Sequence, residues 1–135
     1  MITVLIVIGT RPEAIKMAPV VRELRRSQGS VHPMVCVTGQ HREMLDQVLG
    51  LFDIKPDYDL NLMRPDQTLS QLTSRLFASL DSVVLETKPD WILAQGDTTT
   101  VLVAALVAFY HRVKFGHVEA GLRTGKKYKP FPEEI

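Results

Sequence analysis

Charged residues crowd one short segment near the start of the chain, GTRPEAIK at residues 9–16. It directly follows the apolar run at 2–8 and carries Arg11, Glu13 and Lys16. A glycine-bearing turn between a strand and a helix often holds phosphate, because the helix N-terminus attracts anions. The segment lacks both the GxGxxG and the GxxxxGK[ST] patterns of nucleotide loops. Arg11 and Lys16 therefore indicate an anionic ligand, whereas Glu13 also has a simpler role as partner to the helix dipole.

Carboxylates recur in two later polar segments. QGDTTT at 95–100 carries Asp97, and HVEAGLRTG at 117–125 carries Glu119 and Arg123. Several carboxylates beside cations suit proton transfer at a weakly acidic carbon, with the cations stabilising a departing anion. A divalent-metal site is less favoured, because neither the carboxylates nor the four scattered histidines show metal-ligand spacing. We therefore expect no metal.

Each of these residues also has a structural explanation. Arg11 and Lys16 can form a solvated first turn. Asp97 or Thr98 can simply cap the helix that follows. Glu119 is the hardest to explain in this way, because a carboxylate that ends a β-branched strand is seldom there for packing.

Two further polar stretches add to the set. Gln40 and His41 follow a second apolar run, and His41 can either bind a ligand or cap its own helix. Glu133 and Glu134 add a pair of carboxylates close to the last residue of the sequence.

The elements that must position these side chains alternate between strand-like and helix-like patterns. This alternation predicts an α/β fold, a doubly wound parallel sheet with right-handed crossovers. With a 3-2-1-4-5 strand order, ligands bind beyond the carboxyl ends of strands one and four, so the loops after Ile8 and Ala94 should be the unusual ones. The predicted strands are 2–8, 34–38, 58–62, 91–94 and 113–118, and the predicted helices are 12–26, with a kink or break at Pro19, 42–52, 69–88 and 99–111.

Composition narrows the class of protein. The 135 residues are 45% hydrophobic and 23% charged, as in an ordinary single globular domain. The net charge of +1 gives no electrostatic case for a nucleic acid or a membrane as partner. The longest apolar stretch, 101–109, is far shorter than the roughly 20 residues that span a bilayer. Residues 1–9 lack a signal-peptide pattern, and the single Cys36 fits a cytoplasmic protein.

Five blocks now combine into a specific pattern: GTRPEAIKMAPV, TGQHREMLDQVL, GDTTTVL, GHVEAGLRTG and PFPEE. In this order they resemble the non-hydrolysing bacterial UDP-N-acetylglucosamine 2-epimerases, from the first strand to the last residue. The resemblance implies the two-domain architecture called GT-B, with the active site between the halves. Residues 1–135 are then expected to be the N-terminal Rossmann-like domain, without the C-terminal UDP-binding domain.

The resemblance also implies a reaction. Family members interconvert UDP-GlcNAc and UDP-ManNAc by eliminating UDP to give 2-acetamidoglucal, and UDP then adds back with a proton on the opposite face of C2. It implies no cofactor. The charges of GTRPEAIK would then serve a diphosphate that must leave and return. The residues implied are Asp97, Glu119 and Glu133 as catalytic groups, and Arg11, Lys16 and Arg123 as substrate-binding groups.

Further expectations come with the family. Its members form homodimers, supply polysaccharide biosynthesis, and in bacteria bind a second UDP-GlcNAc as an allosteric activator; Gln40, His41 and Gln67 are the candidates for that site. Because the second domain is missing, we expect the 135 residues alone to be inactive. The alternatives are the acceptor-side domain of a GT-B glycosyltransferase and a non-catalytic domain of the flavodoxin or receiver type.

Overall fold

The β-branched run at the start of the chain forms the central strand, β1 (Ile2–Ile8), of a five-stranded parallel sheet. The structure is a computed structural model, and it describes residues 1–27, 29–39 and 42–119. The side chains of β1 from Leu5 onward are buried, as expected for a strand covered by helices on both faces. The other elements are α1 (Arg11–Arg26), β2 (Val31–Val37), α2 (Arg42–Leu51), β3 (Tyr58–Asp59), α3 (Leu69–Thr87), β4 (Trp91–Gln95), α4 (Thr99–Tyr110) and β5 (Lys114–Val118).

The strand order is β3-β2-β1-β4-β5, with every neighbouring pair parallel. This confirms the predicted α/β class and the predicted order. The order reverses between β1 and β4, which pair from Val4 opposite Trp91 to Ile6 opposite Leu93. The loops that follow these two strands therefore face each other at the carboxyl edge of the sheet, where ligands bind in folds of this type.

Two apolar cores cover the two faces of the sheet, and alternate residues of β1 supply both. Leu5 and Val7 belong to the core under α3 and α4. Ile6 and Ile8 belong to the core under α1 and α2. The helices contribute side chains that recur at helical spacing, among them Leu72, Leu76, Leu80 and Val83 from α3, and Ala14, Met17, Ala18 and Val21 from α1.

Two prolines lie inside regular elements without ending them. α1 runs unbroken through Pro19, so the predicted break is absent. Pro19 removes the hydrogen bond to the carbonyl of Ile15, but both residues are exposed and water can replace it. Pro33 lies in β2 opposite Val4. β3 begins to pair only at Cys36, so Pro33 lies where β2 has β1 as its one partner and its missing N–H leaves no ladder bond unmade.

The third strand is shorter than predicted. Its backbone continues to bond to β2 beyond Asp59, from Leu60 N to Val37 O at 2.9 Å and from Leu62 N to Thr38 O at 3.0 Å. Asn61 adopts a left-handed conformation with φ of 48°, which ends the regular strand after two residues. Within the described residues, no helix is both long enough and apolar enough to cross a membrane.

Candidate functional site

The carboxyl ends of β1, β4 and β5 bring together residues from three distant parts of the chain. Lys16 lies in the second turn of α1 and Glu119 directly follows β5. Lys16 Nζ donates to both carboxylate oxygens of Glu119, at 2.8 Å to Oε1 and 2.6 Å to Oε2. The two side chains are 49% and 40% exposed, so a ligand can reach both of them from solvent.

Glu119 is held by a second contact and by its backbone. Gln95, the last residue of β4, is buried and donates from Nε2 to Glu119 Oε2. Glu119 also has φ of 61°, a left-handed conformation that costs a residue with a Cβ about 1–2 kcal/mol. Such strain persists only where the surroundings enforce it, and it is common at functional sites.

The electrostatics of Glu119 favour the carboxylate form. The hydrogen bond from Lys16, helped by that from Gln95 and by the charge of Lys16, holds the pKa of Glu119 below its usual value. Glu119 is therefore ionised at neutral pH, so it can accept a proton but does not begin as an acid.

A second carboxylate, Glu13, lies buried where the first and fourth strands end, with 2% of its surface exposed. Its Oε1 accepts from the backbone N–H of Gly9 at 3.3 Å. Its Oε2 accepts from the hydroxyl of Thr10 at 2.5 Å and from that of Thr98 at 3.4 Å. Burial raises the pKa of Glu13, while these hydrogen bonds oppose the shift. Glu13 therefore does more than pair with the helix dipole.

The loop from β4 to α4 is joined to β5 as well. His117 Nε2 lies 2.6 Å from the carbonyl oxygen of Gly96. Gly96 has φ of 95°, a conformation that glycine adopts without strain. A Cβ at Gly96 would lie 3.9 Å from Glu13 Cγ, so this loop passes directly over the buried carboxylate. The two neighbours of Asp97 are thus both bonded: the carbonyl of Gly96 to His117, and the hydroxyl of Thr98 to Glu13.

Four predicted site residues lie within the described part of the chain at this edge. Arg11 is exposed at the first position of α1, and Asp97 is half-buried in the loop between β4 and α4. The structure joins Lys16 directly to Glu119, and among the described contacts of this pair neither Arg11 nor Asp97 is a partner. Gln67 lies elsewhere: it precedes α3, and its Oε1 accepts from Arg75 Nη1 at 2.7 Å.

The remaining predicted site residues, Gln40, His41, Arg123 and Glu133, lie outside the described residues. Sequence reasoning missed three participants, Gln95, Thr98 and His117, as bonded members of the site. The available signal was their position, Gln95 and His117 at the ends of β4 and β5 and Thr98 in the loop after β4, because residues at the carboxyl ends of parallel strands lie at the same edge.

Proton transfer next to a held anion is the chemistry that this arrangement allows. Glu119 offers an ionised carboxylate, Lys16 offers a cation beside it, and α1 and α4 both begin at this edge, where helix N-termini favour negative charge. Over residues 1–27, 29–39 and 42–119, no group of three or more His, Cys, Asp or Glu side chains is placed to hold a metal ion.

Comparison with known proteins agrees with the sequence pattern. Residues 22–135 match the family model described as UDP-N-acetylglucosamine 2-epimerase. A relative from Yersinia pestis, named UDP-N-acetylglucosamine 2-epimerase, is 61% identical over 97% of this chain, which covers 35% of the relative.

Solved structures show the same fold at similar partial coverage. The UDP-GlcNAc 2-epimerase from Neisseria meningitidis, bound to UDP-GlcNAc, superposes with a TM-score of 0.92 at 56% identity, over 98% of this chain and 36% of that one. The UDP-GlcNAc 2-epimerase from Methanocaldococcus jannaschii, in complex with UDP-GlcNAc and UDP, superposes with a TM-score of 0.86 at 33% identity, over 94% of this chain and 35% of that one. The chain thus spans about a third of the length of these relatives, and it belongs to the UDP-N-acetylglucosamine 2-epimerase family.

Proposed function

We propose that the protein carrying these residues interconverts UDP-GlcNAc and UDP-ManNAc at the edge formed by β1, β4 and β5. The observation that carries the proposal is the contact between Lys16 and Glu119, which places a cation and an ionised carboxylate side by side at the point where the strand order reverses. The fold and family agree with it, and two related epimerases have been solved with UDP-GlcNAc bound.

The chemistry explains why the reaction needs this pairing. The hydrogen on C2 of the sugar is hardly acidic, so direct removal would need an extreme base. In the proposed route the C1–O bond breaks, its electron pair leaves with UDP, and a carboxylate takes the C2 proton, which gives the alkene 2-acetamidoglucal. In the return step a UDP oxygen bonds to C1 and a proton is delivered to the opposite face of C2. The route therefore needs proton-transfer groups on two faces and cations for the diphosphate.

The residues divide between these tasks. We assign the proton transfers to Asp97, Glu119 and Glu133, without fixing which serves which face. We assign the diphosphate to Arg11, Lys16 and Arg123. The exposure of Lys16 supports its part, because an incoming diphosphate can compete with Glu119 for the ammonium group. Release of Glu119 from Lys16 would then make this carboxylate a stronger base as the diphosphate binds.

The remaining assignments concern the assembly. We propose that residues 1–135 form an N-terminal Rossmann-like domain of a GT-B architecture, which pairs with a UDP-binding domain across a cleft and acts as a homodimer. A second UDP-GlcNAc as activator is assigned to Gln40, His41 and Gln67. The 135 residues alone should not turn over, because the Lys16 and Glu119 side chains are open to water, and an active site open to water does not hold a departing UDP for re-addition.

Product analysis tests the proposal. The full-length product of the reading frame that contains this sequence is incubated with UDP-GlcNAc, and sugar nucleotides and free sugars are separated. UDP-ManNAc should form without added cofactor, and an Asp97→Asn variant should lose most of that activity. Free ManNAc with UDP would indicate a hydrolysing enzyme instead. Transfer of GlcNAc to an added acceptor would indicate a glycosyltransferase, and either outcome would contradict the proposal.

A further inference from the structure

Three helices begin with threonine at the N-cap, but only one of the three uses its hydroxyl as a cap. Thr68 at the start of α3 forms a capping box: its Oγ1 accepts from Gln71 N at 3.1 Å, and its own N–H donates to Gln71 Oε1 at 3.0 Å. Thr10 at the start of α1 and Thr98 at the start of α4 make no side-chain cap bond. Capping by threonine typically stabilises a helix by about 1 kcal/mol, so its absence at two helices needs a cause.

The cause is Glu13. Both hydroxyls donate to the same oxygen, Glu13 Oε2, although Thr10 and Thr98 are 88 residues apart by their numbers in the chain. Thr10, Glu13 and Thr98 are called the Glu13 cluster below. The cluster joins the first turn of α1, which leads to Lys16, to the loop that carries Asp97.

A buried carboxylate is a costly way to join two loops. Desolvation disfavours its charged form, and burial indeed raises the pKa of Glu13. A pair of apolar side chains would pack the same space more cheaply. Departures of this kind from the most stable choice are typical of functional sites rather than of packing alone.

The loop above Glu13 has little freedom. Gly96 passes over the carboxylate, and its carbonyl oxygen is bonded to His117 of β5. On the other side of Asp97, the hydroxyl of Thr98 is bonded to Glu13. Asp97 therefore lies between two fixed residues. The Thr98 bond, at 3.4 Å, is the longest of the three side-chain contacts to Glu13, and Thr98 is only half-buried, so a small change can break this bond without emptying the core.

We propose that Glu13 is a positioning residue: through the hydroxyls of Thr10 and Thr98 it fixes the distance between Asp97 and the Lys16–Glu119 pair. The proposal rests on the proposed function, since it concerns the geometry of those three groups. We assign Glu13 itself no contact with the substrate or the reacting atoms. A shift of about 1 Å in a catalytic group can lower a rate about 100-fold, so a residue that prevents such a shift controls the turnover number.

Four variants of the full-length protein test the role. Glu13→Ala removes the acceptor, and Thr98→Val removes one hydroxyl at nearly constant shape. Glu13→Gln should keep near-wild-type activity, because its amide can accept from Gly9 N–H and donate to the threonine hydroxyls, which accept as well as donate. Thr68→Val is the matched control, since it removes a threonine hydroxyl at a helix start that does not adjoin the Asp97 loop.

The expected result is a change in kcat with little change in KM. Glu13→Ala should lower kcat about 100-fold and Thr98→Val about tenfold, whereas Glu13→Gln should stay within about fivefold of the wild type. Thr68→Val should lower thermal stability and leave kcat unchanged. A Glu13→Gln variant as inactive as Glu13→Ala would assign Glu13 a charge-dependent catalytic role and overturn the proposal. Wild-type kcat in Thr98→Val and in folded Glu13→Ala would overturn it as well.

Amide hydrogen exchange provides a readout that does not depend on activity. In Thr98→Val, exchange at Gly96 and Asp97 should rise, while exchange at the start of α3 stays as in the wild type. Unchanged exchange at these two amides would overturn the proposal, even if Glu13→Ala failed to fold. If the wild-type protein does not convert UDP-GlcNAc, the proposed function fails, and exchange still decides whether the Glu13 cluster holds the Asp97 loop.

Discussion

Lys16 and Glu119 are 103 positions apart in the chain, yet the ammonium group of one contacts both carboxylate oxygens of the other. An exposed ion pair of this kind contributes little to folding stability, because water and salt screen it. In the proposed function the significance of this pair is chemical, because it would combine a base with a cation at the edge of the sheet where ligands bind in folds of this type.

Removal of the charge on Lys16 should change the pH dependence of the reaction. The hydrogen bond from Lys16 is the main reason why the pKa of Glu119 is lowered, so Lys16→Met should let that pKa rise toward the ordinary value of a glutamate. The carboxylate then becomes protonated at a higher pH, and the acid limb of the kcat/KM profile should move to higher pH. kcat/KM at neutral pH should fall about 100-fold, as for loss of a donor to a developing anion.

Lys55→Met, at an exposed lysine outside this edge, is the matched control and should leave the profile as it is. An acid limb that stays in place in Lys16→Met would show that Glu119 is not the group that titrates.

Glu13→Gln should stabilise the fold in a pH-dependent way. Because burial in the folded state raises the pKa of Glu13 above the ordinary glutamate value of 4.5, ionisation of this carboxyl disfavours the folded state. In the wild type, the stability that comes from the protonated Glu13 carboxyl is fully present below pH 4.5 and is lost as pH rises through the pKa of Glu13 in the folded state. Urea unfolding should therefore show the stability of Glu13→Gln relative to the wild type growing from pH 4 to pH 7.

Glu23→Gln is the matched control, because it removes one negative charge from an exposed position on the same helix. It therefore separates the effect of burying a carboxylate from the effect of losing one charge. A stability difference between Glu13→Gln and the wild type that is the same at both pH values would contradict the burial argument.

Gly39→Ala should destabilise the fold at the end of β2. Gly39 has φ of 93°, and a Cβ there would lie 2.8 Å from the Cα of Asn61, a backbone atom that cannot move aside alone. The strained conformation and the contact together should cost about 2 kcal/mol or more of unfolding free energy. Gly50→Ala, in α2 with open space around it, should instead stabilise by about 0.5–1 kcal/mol. Equal effects at the two sites would be inconsistent with this packing.

The thiol of Cys36 should be inert in the folded protein. Burial, helped by the charge of Asp59, raises the pKa of Cys36 to about 12, and the side chain has no exposed surface. A thiol reagent at pH 8 should react at least about 1,000-fold more slowly with the native protein than with the unfolded one. Ser30→Cys would supply an exposed thiol for comparison. Rapid modification of the native wild type would show that β2 opens readily.

Several features of the fold were predictable because they depend on local pattern. The β-branched run of β1 and the apolar spacing of α3 match the structure closely, and the alternation of strands and helices predicted the parallel sheet, whose observed order β3-β2-β1-β4-β5 is the one considered from the sequence. The length of β3 was not predictable, because it depends on the left-handed conformation of Asn61. Pro19 indicated a break, but it lies on an exposed face where water can satisfy the freed carbonyl.

The candidate site, like the fold, was predictable in part. That Lys16 and Glu119 share one edge follows from the ends of parallel strands, and this part was predicted. The burial of Glu13 was not, because its partner Thr98 is 85 positions away and a charged residue at a helix start normally faces water. The contact from His117 to Gly96 likewise depends on the path of one loop, which composition and spacing do not specify.

Isotope exchange at C2 tests the central claim most directly. The full-length protein is incubated with UDP-GlcNAc in D₂O and followed by proton NMR. Deuterium should enter C2 as UDP-ManNAc appears, and both signals should be lost together in Asp97→Asn. UDP-ManNAc without deuterium at C2 would contradict elimination and re-addition through solvent-exchanging carboxylates. A complete absence of both exchange and epimer would contradict the epimerase function itself.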